Sequence, residues 1–429
     1  MNILDSVRIE GLWGGRAPAV AFSLHKSHNF LVGQNGTGKT TVINLIAAVL
    51  MADFERLDKT QFDKIELTLK SPGSRKKPSI VVLKTPKPDV PYFDITYHVK
   101  EAASSPAKKF DLDALAEERF YRGMPPRMLR DRVVRQRFMD IRTELESFVG
   151  VCWLSVYRFS DEGRPQEERK HLSAVDQKLS SLNNSLVRYF SQLSKRYADH
   201  TLEFQKNSIL SLLTPEREAT LIDFSKSIDL VTERQSLSKV FEVLGVESKL
   251  YEKKLDTHLS KFSHAVKTFA EKKSLNTTEF AAMYNVWKTH SLVQHHQAIE
   301  IKKKEIFASR DLFISIVNDL FAGRKTIEIS ERNEIVVRAR NGKPILLEEL
   351  SSGEKQLLII LGEALLQEKS SVVYIADEPE LSLHVSWQEQ LTEAITRLNP
   401  NAQIIFATHS PDIVGPHSQR IIDMEDVLR

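Results

Sequence analysis

Residues Gly33-Gln34-Asn35-Gly36-Thr37-Gly38-Lys39-Thr40-Thr41 fit the spacing G-x-x-x-x-G-K-[ST]. In this pattern glycines let the backbone wrap closely round an anion, because a Cβ would collide or forbid the required φ. Successive N–H groups then face inward, and the N-terminus of the next helix adds partial positive charge. Lys39 is placed to reach the β- and γ-phosphates of a nucleotide, and Thr40 to set its hydroxyl on Mg²⁺. Asn35, Gly36, Thr37, Gly38 and Thr41 complete the candidate phosphate contacts. The flanks agree. His28-Asn29-Phe30-Leu31-Val32 reads as a short buried strand, and residues 41–50 read as an apolar helix.

Bulk properties narrow the class. The chain has 429 residues, 41% of them hydrophobic, which is enough to bury a large core. Length alone suggests about two or three domains. A net charge of +3 gives no global pull toward nucleic acid or a membrane. The single cysteine, Cys152, rules out an intramolecular disulfide and fits a reducing compartment. The start of the chain lacks a basic-then-apolar signal pattern, and no apolar run is long enough to span a bilayer. The expectation is a soluble, cytoplasmic protein with no membrane partner.

Working outward from the loop, segments 6–10 and 19–24 alternate apolar and polar residues and are flanked by Gly11, Gly14, Gly15 and Pro18. Three more strand-like segments follow at 64–70, 79–84 and 92–100, which predicts an antiparallel subdomain. Arg75-Lys76-Lys77 sits in a Pro/Gly turn and reads as a solvated hairpin tip. Residues 101–150 turn polar and then helical. Residues 151–157 read as a buried strand with Cys152 in the core, and 160–171 as a charged loop. From about residue 172 to 320 glycine and proline nearly vanish, and apolar residues recur at helical spacing, as in Leu179, Leu182, Leu186 and Phe190. Pro215 and Gly245 interrupt this stretch, which predicts several amphipathic helices rather than one long coiled coil. The adjacent pair His295-His296 has no matching ligands at helical spacing, so it is not read as a metal site. Strands return at 325–330 and 334–340.

The last hundred residues supply the rest of a site. Leu350-Ser351-Ser352-Gly353-Glu354-Lys355-Gln356 precedes an apolar helix at 357–367 and can form a second anion-binding turn. Val372-Val373-Tyr374-Ile375-Ala376 is an apolar run typical of a parallel sheet covered on both faces, and it ends in Asp377 and Glu378. Acids at that strand end stand where such sheets bind ligands. Asp377 suits the Mg²⁺ shell together with Thr40, and Glu378 suits polarisation of an attacking water. Residues 403–407 form another buried strand, and His409 just beyond it is placed to bond a γ-phosphate or the water.

Order and wording of these motifs resemble the ABC-type ATPase heads of the SMC, Rad50, RecF and OLD families. The loop 33–41 matches the Walker A motif, 350–356 the signature, and 372–378 the Walker B motif. Glu380-Leu381-Ser382-Leu383-His384 matches the D-loop, and His409 the switch histidine. The resemblance covers 1–100 and 325–429. It implies an α/β fold: an ABC-type P-loop head with an antiparallel β subdomain and an inserted α-helical domain. The implied division is 1–100 as the first half of the head, 101–324 as a mostly helical lid or assembly arm, and 325–429 as the second half.

The same resemblance implies ATP hydrolysis, with Glu378 as base, Asp377 as metal-shell acid and Lys39 and His409 as catalytic partners. Ser351, Ser352, Gly353 and Glu354 would meet the ATP of an opposite protomer, so that ATP is sandwiched in a dimer or larger homo-oligomer. Ser352 stands where a glycine is common. Gln61 is the candidate Q-loop metal ligand, although it follows Lys39 more closely than is usual.

The wording Asp-Glu-Pro-Glu-Leu-Ser-Leu-His is most similar to OLD-like and related defence ATPases. No Toprim domain follows His409, so the resemblance implies a separate Toprim-type nuclease or toxin as effector, with a phage-encoded trigger. The AriA-type ATPases of PARIS anti-phage systems match best in size and wording, with PtuA of Septu as competitor. A RecF- or SMC-like DNA-maintenance ATPase is the alternative. A transporter ATPase subunit lacks a helical insertion at this place. Nucleic acid binding stays open, because Arg75-Lys76-Lys77 and Lys302-Lys303-Lys304 are too short to decide it.

Overall fold

The computed structural model describes residues 1–14, 19–86, 93–111, 131–154, 173–213, 223–224, 227–272 and 274–428. The expected loop at 160–171, the break at Pro215, and the turn residues Gly15 and Pro18 lie outside the described residues. Strand β1 (Ile3–Glu10) pairs with β2 (Val20–Ser23), and β3 (His28–Val32) leads into α1 (Lys39–Met51) and the short α2 (Phe54–Lys59). β4 (Lys64–Lys70), β5 (Ser79–Pro86), β6 (Phe93–Lys100) and β7 (Lys108–Asp111) complete an antiparallel sheet of order β2-β1-β4-β5-β6-β7. Its alternation is the expected one: in β4, Ile65, Leu67 and Leu69 face inward. Arg75, Lys76 and Lys77 are exposed at the β4–β5 turn.

After α3 (Asp131–Phe148) comes β8 (Gly150–Leu154), and the helices α4 (Ala174–Leu213), α5 (Leu230–Val243), α6 (Ser248–Lys272) and α7 (Thr277–Phe321) follow. Strands β9 (Lys325–Ile329), β10 (Ile335–Ala339) and β11 (Pro344–Ile345) form a small antiparallel sheet. The chain then passes through α8 (Ser352–Leu366), β12 (Val372–Asp377), α9 (Val385–Leu398), β13 (Ala402–Ala407) and β14 (Ile421–Asp423).

The five-stranded sheet has the order β14-β3-β13-β12-β8, and every pair is parallel. Apolar β12 and β13 are buried on both faces, as an all-parallel sheet requires. Val373, Ile375 and Ile405 on one face share a core with α1 and the inward residues of β1, β4, β5 and β6. Helix α1 is therefore packed between the two sheets, which accounts for its nearly all-round apolar sequence. On the other face, the Tyr374 hydroxyl donates to the Ile360 carbonyl of α8 at 2.5 Å. The fold is that of an ABC-type P-loop ATPase head, α/β with an antiparallel sheet beside a parallel one.

The chain divides into two compact units, Met1–Val187 with Ser309–Arg429, and Arg188–Ala308. The second has its own core, which includes Phe224, Phe262, Met283 and Val286. In the first, Leu179, Leu182 and Leu186 of α4 are buried, and Leu182 packs against Gly362 of α8. The buried strand expected at 151–157, whose last three residues lie outside the described ones, is β8, an edge strand of the parallel sheet, with Cys152 buried. Strand β7 was not expected from its polar sequence. Helix α8 begins at Ser352, five residues before the expected start, because Ser351 caps it. No helix among the described residues is long and apolar enough to cross a membrane.

Candidate nucleotide and hydrolysis site

Loop 33–38 joins β3 to α1. Gly38 is the N-cap at φ 81, in the left-handed region that favours glycine. A Cβ on it would also lie 2.6 Å from the Trp13 indole. The first turn of α1 leaves the N–H groups of Lys39, Thr40 and Thr41 without helical acceptors, directed toward the loop. Asn35 and Gly36 are exposed at the loop's rim, and the Thr37 hydroxyl donates to the Gln34 carbonyl at 2.8 Å. Lys39 is only 4% exposed, and its Nζ donates to the carbonyls of Gly33 (2.8 Å) and Gln34 (2.9 Å). Burial holds its pKa below the usual lysine value, against the opposing pull of Glu378, Asp377 and Glu380. One ammonium thus faces three carboxylates.

Strand β13 lies between β3 and β12, so Walker A and Walker B meet across its end. There Thr40 Oγ1 donates to Asp377 Oδ1 at 3.0 Å. Glu378 follows at φ 48, a strained conformation for a residue with a Cβ, and its N–H donates to the Ala407 carbonyl at 2.8 Å. Its Oε1 stands 4.0 Å from His409 Nε2, and both side chains are partly exposed, at 35% and 38%.

Glu380 holds the His409 loop in place. A single carboxylate oxygen accepts from Thr408 Oγ1 (2.6 Å), His409 N (2.8 Å) and Ser410 N (3.2 Å). Its other oxygen, Oε2, is buried with no partner among the described residues. Sequence reasoning placed Glu380 only as the first residue of the D-loop. Trp13 was missed altogether: it has φ 61, is 49% exposed, and sets its ring against Gly38. The only signal for it was a tryptophan between Gly11 and Gly14.

The donor set fits a nucleotide phosphate with a divalent cation. A hydroxyl and a carboxylate oxygen 3.0 Å apart are hard ligands, beside a lysine and a helix N-terminus for the anion. Among the described residues no cluster of three or more His, Cys, Asp or Glu could hold an ion. Thr40 and Asp377 are the residues that would hold such a cation, with the remaining positions open to phosphate and water.

The signature turn is a capping box. The Ser351 hydroxyl accepts from Glu354 N at 3.3 Å, and Glu354 Oε2 accepts from Ser351 N at 2.8 Å. Lys325 Nζ also donates to Glu354 at 2.7 Å. Burial pushes the Glu354 carboxyl up, but these bonds hold it below its usual value. Ser352 is exposed, and a Cβ on Gly353 would fall 2.3 Å from the Ser382 carbonyl, so only glycine permits this approach to the D-loop. Gln356 Nε2 donates to the Pro379 carbonyl at 2.9 Å, a second tie between α8 and the Walker B turn. Gln61 lies against the Leu12–Gly14 turn: its carbonyl accepts from Trp13 N at 3.1 Å, and its amide abuts Gly14.

A family model described as the AAA ATPase domain (AAA_15) matches residues 4–414. Septu protein PtuA of Bacillus thuringiensis is 29% identical over 159 residues, 33% of this chain and 38% of that protein. A protein named "Retron Vc95 probable ATPase" from Vibrio cholerae is 34% identical over 83 residues, 17% of this chain and 16% of that protein. The chain therefore spans well under half the length of these curated relatives. The Smc head domain with an extended coiled coil, bound to the C-terminal domain of ScpA, from Pyrococcus furiosus aligns with a TM-score of 0.44 at 14% identity, over 100% of this chain and 95% of that one. The Smc head domain with a coiled coil and joint from Pyrococcus yayanosii aligns with a TM-score of 0.40 at 15% identity, over 96% and 93%. With the family match running over residues 4–414, the chain belongs to the AAA ATPase domain family and is an ATPase.

Proposed function

We propose that this chain is the ATP-binding and hydrolysing subunit of an anti-phage defence system that controls a separate effector protein. The observation that carries the hydrolysis is the meeting of Thr40, Asp377, Glu378 and His409 beside the Lys39 loop. In this reading, the loop N–H groups and Lys39 hold the phosphates and offset charge that develops on them. Thr40 and Asp377 hold Mg²⁺, which supplies charge neutralisation at the phosphate oxygens when bound. Glu378 takes a proton from the attacking water, and His409 bonds the phosphate or the water. Glu380 acts through its three bonds to 408–410 as a positioning residue. Ser351, Ser352 and Gly353 are presented to the ATP of a second copy, while Glu354 keeps their turn capped. Gln61 contacts the Leu12–Gly14 turn.

The defence role is supported by the two matched relatives, one named for Septu and one for a retron. The test is a tagged purification from the native host with Mg-ATP, followed by mass spectrometry. A stoichiometric second protein with nuclease or toxin motifs is expected. Recovery of the chain alone, with an ATPase rate that rises on adding DNA, would replace this reading with DNA maintenance.

A further inference from the structure

The unit 188–308 carries a feature that ATP hydrolysis does not use. Four lysines of α6, Lys249, Lys253, Lys254 and Lys261, line a groove of about 570 Å³ together with His258 and with Asn285 of α7. Lysines on a helix are ordinarily a solvated face. Here the charges converge. At about 1.5 Å rise per residue they run along roughly 18 Å of helix on one side, and no carboxylate lines the groove. The nearby acids of α6 are turned away: Asp256 accepts from Arg234 Nε of α5 at 2.9 Å, and Glu252 also acts on Arg234. Among the described residues none of the four lysines is in an ion pair. His258 does not add a charge at neutral pH, because burial pushes its pKa down and its Nε2 bonds Thr289 Oγ1 at 3.1 Å.

A row of flexible point charges suits phosphates without reading sequence.

We propose that this groove binds the phosphate backbone of a nucleic-acid strand. The inference uses unit 188–308 alone and stands apart from the ATP site. Its test is fluorescence anisotropy with a labelled thymidine oligonucleotide of about 20 residues, titrated into the wild-type chain and into the triple variant Lys253→Gln/Lys254→Gln/Lys261→Gln. These lysines are exposed, so the variant should melt like the wild type. It should lose at least about tenfold in affinity, and its slope of log K against log salt should flatten by about 2, at about 0.7 per phosphate contact. Its basal ATPase rate should be unchanged, which separates failure here from failure of the hydrolysis reading. Absence of wild-type binding at about 50 mM salt, or an unchanged affinity and slope in the variant, would overturn the proposal. Displacement by polyglutamate as effective as by unlabelled oligonucleotide would overturn it too, in favour of an acidic protein partner.

Discussion

At the residue scale, Lys39 is a buried cation kept in place by two carbonyls of its own loop and acted on electrostatically by Glu378, Asp377 and Glu380. In the proposed mechanism it answers the phosphate charge, so Lys39→Ala should weaken nucleotide binding by about 100-fold, from the loss of about 3 kcal/mol of charge-assisted bonding. A fluorescent-nucleotide titration reads this, and an affinity within a few-fold of wild type would remove Lys39 from the role. Glu378→Gln keeps the shape and the φ of 48 but removes the base. Binding should survive while hydrolysis falls by about 10²- to 10⁴-fold; a near-normal phosphate-release rate would refute it. Lys39, Thr40, Asp377 and Glu378 could be read from the sequence because each sits in a short pattern whose spacing is itself the chemistry. Glu380 and Trp13 could not. The three donors to Glu380 lie 28 to 30 residues further along, and the ring of Trp13 meets a glycine 25 positions away in the chain.

At the scale of elements, helices and strands with local periodicity were legible, while pairings between distant segments were not. β12 and β13 announced a parallel sheet by their unbroken apolar runs. That β8 would flank β12 depends on a partner strand more than two hundred residues away, and polar β7 joins the antiparallel sheet only by pairing with β6, not through an apolar pattern of its own. The start of α8 shows local chemistry overriding a composition boundary: the capping box draws Ser352 and Gly353 into the helix before the apolar run begins.

Strand β3 also carries a pH-sensitive element. His28 stacks on His417 at 4.4 Å, and its Nε2 lies 3.1 Å from Thr396 Oγ1. Burial, followed by His417, His25 and Arg420, pushes its pKa down to about 4 from 6.5. The unfolded chain therefore binds more protons between those values. The native state keeps its full stability above pH 6.5 and loses part of it as pH falls toward 4. At about pH 5 the loss is at most about 2 kcal/mol, or about 1 kcal/mol after discounting for partial exposure. Urea unfolding near pH 7.5 and pH 5 should show wild type losing about that much more than His28→Gln. Equal losses would mean that His28 does not contribute.

At the scale of the whole molecule, the chain divides into two compact units, each with buried apolar residues of its own. Lys39, Asp377, Glu378 and His409 all belong to the unit built from Met1–Val187 and Ser309–Arg429. Phe262 belongs to the other core, is 2% exposed, and meets Phe224 edge-on at 6.2 Å. The near absence of glycine and proline marked this region as helical in the sequence, but nothing local showed that it would close round a core of its own. Phe262→Ala should cost about 3 to 5 kcal/mol, since a fully buried ring leaves a cavity that its neighbours only partly fill. If the cores are energetically separate, that cost falls on local opening of residues 188–308 and not on the nucleotide site. Limited proteolysis should then cut the variant within this unit faster than wild type, while its nucleotide affinity and ATPase rate stay within about twofold. Loss of nucleotide binding in step with the proteolysis would show instead that the two cores unfold as one cooperative body.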